Sequence, residues 1–174
     1  IGSSSKMPAT SSDAPPAVAA SLSFNNAMAS LTDFLFSGVL VRFPTLKLAY
    51  SEGQIGWLPY LLERVDDVWR EHRAWGGVSD IVPEPPSTYY YRQVFGCFFR
   101  DRHGLDSLDA VGVDNITFET DYPHTDSTWP HSRQVAEDMM GHLPADVVWK
   151  IVRGNAARML DLDIEPAPAS PGPG

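Results

Sequence analysis

An unbroken apolar run, VFGCFF (Val94–Phe99), is the feature that most restricts how this chain can fold. It has strand length and no polar residue on either side of the pleat, so both faces must be covered, as in a strand within a parallel sheet. Parallel strands need long crossover connections, usually helical, and the flanking sequence supplies them. Phe24, Ala27, Met28, Leu31, Leu35 and Val39 recur at helical spacing and predict a helix over Leu22–Val41, stopped by Phe43-Pro44. Leu46–Tyr50 then reads as a short strand. Trp57, Leu58, Leu61, Leu62, Val65, Val68 and Trp69 make the stripe of a second helix, with Pro59 in its first turn and Glu63, Arg64, Asp66, Asp67, Arg70 and Glu71 on a solvated face.

Residues 76–92, with two Gly, three Pro and three consecutive Tyr, read as a long loop, the tyrosines serving as packing. After the Val94–Phe99 strand, Leu105, Leu108 and Val111 mark a short helix, and Asn115–Thr120 is the third strand. Thr128 is the expected N-cap of a helix with Pro130 in its first turn and Val135, Met139 and Met140 on its apolar side. Pro144 opens the last helix, which Gly154-Asn155 is expected to interrupt. Residues 2–21 read as a Ser-, Pro- and Ala-rich loop and residues 165–174 as a disordered Pro/Ala/Gly tail. Such alternation predicts an α/β fold with a parallel sheet. Three strands cannot close a barrel, but they can be part of one.

Composition narrows the function. The 174 residues carry a net charge of −9 with no basic stripe, which argues against a nucleic-acid partner. No apolar run reaches membrane-spanning length. The single cysteine, Cys97, lies inside the apolar strand, reads as buried and inert, and fits a reducing compartment such as the cytoplasm. The opening Ile-Gly-Ser-Ser-Ser-Lys has neither an initiator Met nor a signal-peptide core, and reads as the start of a piece of a longer protein.

In parallel α/β folds, functional groups gather at the carboxyl ends of the strands. Here those ends carry Ser51 and Glu52; Arg100, Asp101, Arg102 and His103; and Asp121 and His124, within the stretch NITFETDYPHTDSTWPH. Carboxylates and imidazoles converging from neighbouring strands can hold a divalent metal or act as acid and base. Each has a plainer reading: Asp121 as a turn cap, His124 and His131 as surface loop residues, Glu52 as a turn residue beside Gly53, and RDRH as a solvated turn with internal ion pairs. Neither a Gly-x-Ser-x-Gly elbow nor a Gly-rich phosphate loop is present.

Three stretches, FPTLKLAYSEGQIGWLPYLLERVD, GVDNITFETDYPH and IVRGNAARMLDL, together resemble the carboxyl-terminal half of amidohydrolase-related proteins. This is the branch of metal-dependent hydrolases that includes aminocarboxymuconate-semialdehyde and resorcylate-type decarboxylases. The resemblance spans about Ile1 to Leu162. It implies the carboxyl-terminal half of a TIM (β/α)8 barrel truncated at its amino side, and an enzyme using one divalent metal, zinc or manganese, in hydrolysis or decarboxylation of a small carboxylated or ring substrate. It also implies that Asp121 is the eighth-strand metal ligand and manages a proton. Glu52 stands where many relatives have a histidine and would serve as base or substrate contact, while Arg100, His124 and Trp129 would bind substrate. The first-strand His-x-His and fifth-strand His lie outside this sequence, so the chain carries one of four expected ligands and is not expected to hold the metal alone. Its open sheet edges would invite association with other copies. The competing expectation is a non-catalytic barrel fragment or packing module; a His-x-His upstream of Ile1 would discriminate between the two.

Overall fold

The computed structural model describes residues 11–78 and 80–164. The expected tail at 165–174 and the first ten residues lie outside them. Helices α1 (Pro16–Leu22), α2 (Asn25–Phe36) and α3 (Val39–Arg42) precede strand β1 (Leu48–Tyr50). Helices α4 (Leu58–His72) and α5 (Pro86–Gln93) cross to β2 (Val94–Phe98). Helices α6 (Arg102–Asp106) and α7 (Leu108–Val111) and a 3-10 turn (Val113–Asn115) then lead to β3 (Ile116–Phe118). The chain finishes with α8 (Ser132–Met140), α9 (Ala145–Trp149), a π turn (Lys150–Gly154) and α10 (Asn155–Met159).

The strands form one parallel sheet in the order β1-β2-β3, with Tyr50 beside Gly96 and Gly96 beside Ile116. Register and alternation place Leu48, Tyr50, Val94, Gly96, Phe98, Ile116 and Phe118 on one face. That face packs on α2 and α4 in the main core, which holds Leu31, Leu35, Leu58, Leu61, Leu62 and Val65. Each such fully buried Leu or Val contributes about 1.5–3 kcal/mol. The other face carries Ala49, Phe95, Cys97, Thr117 and Glu119. Phe95, Cys97 and Thr117 are buried, with the Arg158 guanidinium 4.8 Å from the Phe95 ring centre, whereas Ala49 is exposed. All five residues of β2 are buried, as the apolar run requires.

Several elements differ from expectation, each for a local reason. The single helix over Leu22–Val41 is three helices. It breaks at Gly38, whose φ of 71° suits glycine and where a Cβ would stand 2.5 Å from Ile81. Helix α1 occupies part of the expected loop at 2–21. Pro16 at its first position and three alanines favour it, but it buries nothing and so shows no periodicity. Helix α5 occupies part of the expected loop at 76–92 and buries Tyr89 and Tyr90. Its amino end is satisfied from a distance: Asp66, expected to be solvated, accepts the Ser87 N–H at 2.9 Å and the Ser87 hydroxyl at 2.6 Å. Thr128 does not cap α8; His131 holds that position, and the Thr128 hydroxyl donates to Ser132 Oγ at 2.8 Å. Gly154-Asn155 does not interrupt the last helix either. Gly154 is helical, and the π turn widens the backbone there, with the Trp149 ring packed on Gly154.

Candidate functional site

At the carboxyl end of the sheet, Tyr50 gives way to a loop in which Glu52 and Gln54 both take left-handed backbone angles, φ 57° and 54°. Beyond β3, Asp121 does the same at φ 57°. Two non-glycine carboxylate positions in this sparsely populated region, facing each other across one sheet end, mark backbone that the surrounding structure holds in place.

The loop after β1 is fixed by Asp101. Its Oδ2 accepts the N–H groups of Ile55 (2.8 Å) and Gly56 (2.6 Å), while Oδ1 accepts Gly104 N–H at 2.9 Å. A Cβ at position 56 would lie 2.7 Å from Asp101 Oδ1, so only glycine lets the carboxylate approach this closely. Arg100, Arg102 and His103 are exposed, as expected of RDRH, but Asp101 is half-buried and turned onto backbone amides, and among the described residues the expected ion pairs within the run are not formed. The loop after β3 is braced on the strand end, with Thr120 O accepting from Thr128 N–H at 3.0 Å and from the Ser127 hydroxyl at 2.8 Å.

These two loops bring Glu52, Asp121 and His124 together, with one donor atom from each lying within 4.8 Å of the others. His124 Nδ1 is 2.7 Å from Asp121 Oδ1 and 3.6 Å from Glu52 Oε1. Asp121 is the sheltered member, its side chain only 6% exposed against 60% for His124 and 39% for Glu52. The hydrogen bond to Asp121, reinforced by the charges of Asp121 and Glu52, raises the His124 pKa above its ordinary value. Below them, on the second face of the sheet, Glu119 Oε1 accepts the Glu52 N–H at 2.7 Å. Burial raises the Glu119 pKa, the hydrogen bonds with Cys97 and Glu52 N–H oppose the rise, and the nearby Asp121 and Glu52 carboxylates add to it. Burial also pushes the Cys97 thiol up to about 12.

The trio opens into a pocket of about 520 Å³, walled by Phe24 and Ala27 near the start of α2, by Phe99, and by Pro123 and Asp126. Of the residues singled out in the sequence, Glu52, Asp121 and His124 meet here. Arg100 and Trp129 do not line the pocket. Arg100 Nη1 donates to Asp126 O at 3.4 Å, and Trp129 lies on the outer rim, its ring 5.5 Å from that of Tyr122 and both exposed. Sequence reading passed over Glu119, which had a signal, being a charged residue inside the expected strand, in phase with Thr117 and Asp121. Asp101 was named only as a strand-end residue; its cap on Gly104 N–H is local, but its bonds to Ile55 and Gly56 N–H reach about 45 residues back.

Two carboxylates and an imidazole form an oxygen- and nitrogen-rich donor set of the kind that suits zinc or manganese. Asp121 is bound to His124 through one oxygen only, leaving the other without a hydrogen-bond partner among the described residues. The donor set therefore fits a divalent metal.

The amidohydrolase family model matches residues 13–162. Among solved structures, an amidohydrolase from Mycobacterium avium subsp. paratuberculosis K-10 superposes with a TM-score of 0.70 at 21% identity, covering 84% of this chain and 36% of that one. A 5-carboxyvanillate decarboxylase from Sphingomonas paucimobilis gives 0.61 at 23% identity, over 76% and 38% of the two chains. A dihydroxybenzoic acid decarboxylase from Polaromonas sp. JS666, with bound manganese and the inhibitor 2-nitroresorcinol, gives 0.58 at 21% identity, over 79% and 40%. A comparison with curated protein sequences gives no match. The chain thus spans well under half the length of these solved relatives, and its three parallel strands with crossover helices fit part of a TIM barrel.

Proposed function

This chain belongs to the amidohydrolase family, and on that premise we propose that it supplies the carboxyl-terminal share of a metal-dependent site that hydrolyses or decarboxylates a small carboxylated or ring substrate. The observation that carries the reading is the convergence of Glu52, Asp121 and His124 at the carboxyl rim, from two strands whose order and direction match a barrel. Asp121 is the metal ligand, its charge sheltered enough to be felt by a dication. A bound zinc or manganese supplies Lewis-acid polarisation of a substrate oxygen.

The chain's own residues handle the proton. Hydrolysis needs a proton for the leaving group. Decarboxylation needs one for the ring carbon, which keeps the electron pair of the broken C–C bond when CO2 departs. Either way the donor must stand at the pocket mouth, and His124 does, its Nδ1 2.7 Å from Asp121 Oδ1. Glu52, half-exposed on the opposite side, contacts the substrate or accepts its proton. Arg100 shapes the loop through Asp126 O, and Trp129 meets the substrate ring only at the outer rim.

The test uses the protein in its full length, dialysed exhaustively, reconstituted with Zn2+ or Mn2+ and assayed for CO2 release from hydroxylated benzoates and for hydrolysis of small cyclic amides and lactones. Metal-dependent turnover lost in Asp121→Asn supports the reading. Turnover indifferent to metal, or metal binding unchanged in Asp121→Asn, overturns it.

A further inference from the structure

Among the described residues, Glu119 is the one side chain that ties the backbone bearing Glu52 to the strand bearing Asp121 by a hydrogen bond. It projects from the second face of the sheet just past β3, two residues before Asp121, so its carboxylate and Asp121 leave the strand in the same phase. The strand order is β1-β2-β3, and to reach the β1 loop Glu119 must cross β2, where Cys97 lies beneath it. Its Oε1 then accepts the Glu52 N–H at 2.7 Å. That amide belongs to a residue held at φ 57°, a conformation unfavourable to a non-glycine residue that persists only when something outside the residue fixes it.

We infer that Glu119 is a positioning residue, a clasp across the open end of the sheet that holds Glu52 in its left-handed conformation and keeps its carboxylate opposite Asp121 and His124. The role deepens the metal-site reading and rests on it for its functional consequence, though not for the clasp itself. Without Glu119, Glu52 would relax toward ordinary backbone angles and its carboxylate would swing away from the other two donors. The sheet would survive, since the β2–β3 ladder continues through Glu119 N–H to Phe98 O at 2.9 Å, a bond that needs no side chain.

The experiment compares Glu119→Ala and Glu119→Gln with the wild type, each in the full-length protein, in two measurements. One is hydrogen exchange at the Glu52 amide, read without metal by nuclear magnetic resonance. The other is Mn2+ affinity, with thermal melting as the control for folding. Glutamine keeps an oxygen acceptor at the same reach and loses the charge; alanine loses both. Glu119→Ala should speed exchange at Glu52 by about tenfold or more and weaken Mn2+ binding by about tenfold, with little change in Tm. Glu119→Gln should hold both within about threefold of wild type. An unchanged Glu52 amide in Glu119→Ala overturns the inference, as does a Glu119→Gln variant as impaired as Glu119→Ala, which would assign the effect to charge rather than position. Asp121→Asn in the same Mn2+ assay separates the two proposals. If Asp121→Asn leaves Mn2+ binding unaltered, the metal reading falls while the exchange data still decide the clasp. If Asp121→Asn abolishes binding and Glu119→Ala leaves it unchanged, the metal reading stands and the clasp falls.

Discussion

The two ends of the same three strands use polar side chains in opposite ways. At the amino end they are neutral amides, buried and spent on backbone. Asn115 Nδ2 lies within 2.8–3.2 Å of the carbonyls of Tyr90, Tyr91 and Val94; Asn155 Nδ2 reaches Val113 O and Ile116 O; and Gln93 Nε2 reaches Phe43 O and Leu46 O. At the carboxyl end they are carboxylates and an imidazole, partly open to solvent and turned toward one another. Amide nitrogens satisfied by fixed carbonyls lock strand starts at no cost in buried charge, though Gln93 Oε1 is buried without a partner among the described residues. Like-charged carboxylates grouped around a pocket repel, and a protein keeps such an arrangement where a cation or proton resolves it. On the proposed function, the contrast separates stability from chemistry across strands of three to five residues.

The largest effect that could break this division is at Asp121. Asp121→Asn preserves shape and removes the charge, and should cut metal-dependent turnover by about 100-fold or more, as loss of a metal ligand's charge does, while stability changes by less than about 1 kcal/mol. Steady-state kinetics beside a denaturant titration would check it; a variant that loses stability and keeps activity would put Asp121 with the structural amides. The converse test is Asn115→Ala. It removes a donor from the carbonyls of Tyr90, which keeps the Val94 N–H, of Tyr91 and of Val94, and should cost about 1–3 kcal/mol, lowering Tm by several degrees, with Mn2+ affinity unchanged. Lost metal binding at wild-type stability would reverse the assignment of the two ends.

Asp101 sharpens the comparison because it sits at the carboxyl end and behaves like an amino-end amide, its oxygens taken by the Ile55, Gly56 and Gly104 N–H groups. Asp101→Ala should cost about 1–2 kcal/mol and, by loosening the loop that carries Glu52, weaken Mn2+ binding by about threefold. Loss of stability with intact metal affinity would show that the Asp101 and Glu52 ends of that loop move independently.

How far these assignments were legible in the sequence followed from how local their causes are. The β2 run announced a strand buried on both faces, and the α4 stripe a helix, because period and composition act over a few residues. Asp121 and Glu52 were legible as strand-end carboxylates once strand positions were known. Helix α5 was not, since its amino end is satisfied by Asp66 from α4, and a Pro-rich entry followed by three tyrosines looks the same in a loop. The Leu22–Val41 pattern ran smoothly through Gly38 because both helices it joins turn their apolar sides to one core. Glu119 acquires its role from a backbone amide far away in sequence, and so does Asp101 beyond its local cap on Gly104 N–H, which no pattern along the chain displays.

The smallest effect concerns Cys97, which lies between the two ends on the face shared with Thr117 and Glu119. Burial pushes its thiol from an ordinary 9.0 up to about 12. The folded protein therefore keeps this proton at pH values where the unfolded chain has lost it. Stability from the thiol is full below about pH 9 and declines as pH rises from 9 toward 12, because across that window the native state binds more protons than the unfolded one. Lysines and tyrosines titrate there too, so the useful quantity is the difference in unfolding free energy between wild type and Cys97→Ala. That difference should be constant up to about pH 8 and shrink by about 1 kcal/mol by pH 10. A thiol reagent at pH 8 should leave Cys97 untouched in the native protein and label it on unfolding. A flat difference through pH 10, or rapid native labelling, would mean that water reaches this face of the sheet. The middle of β2 would then belong with the open carboxyl end rather than with the core.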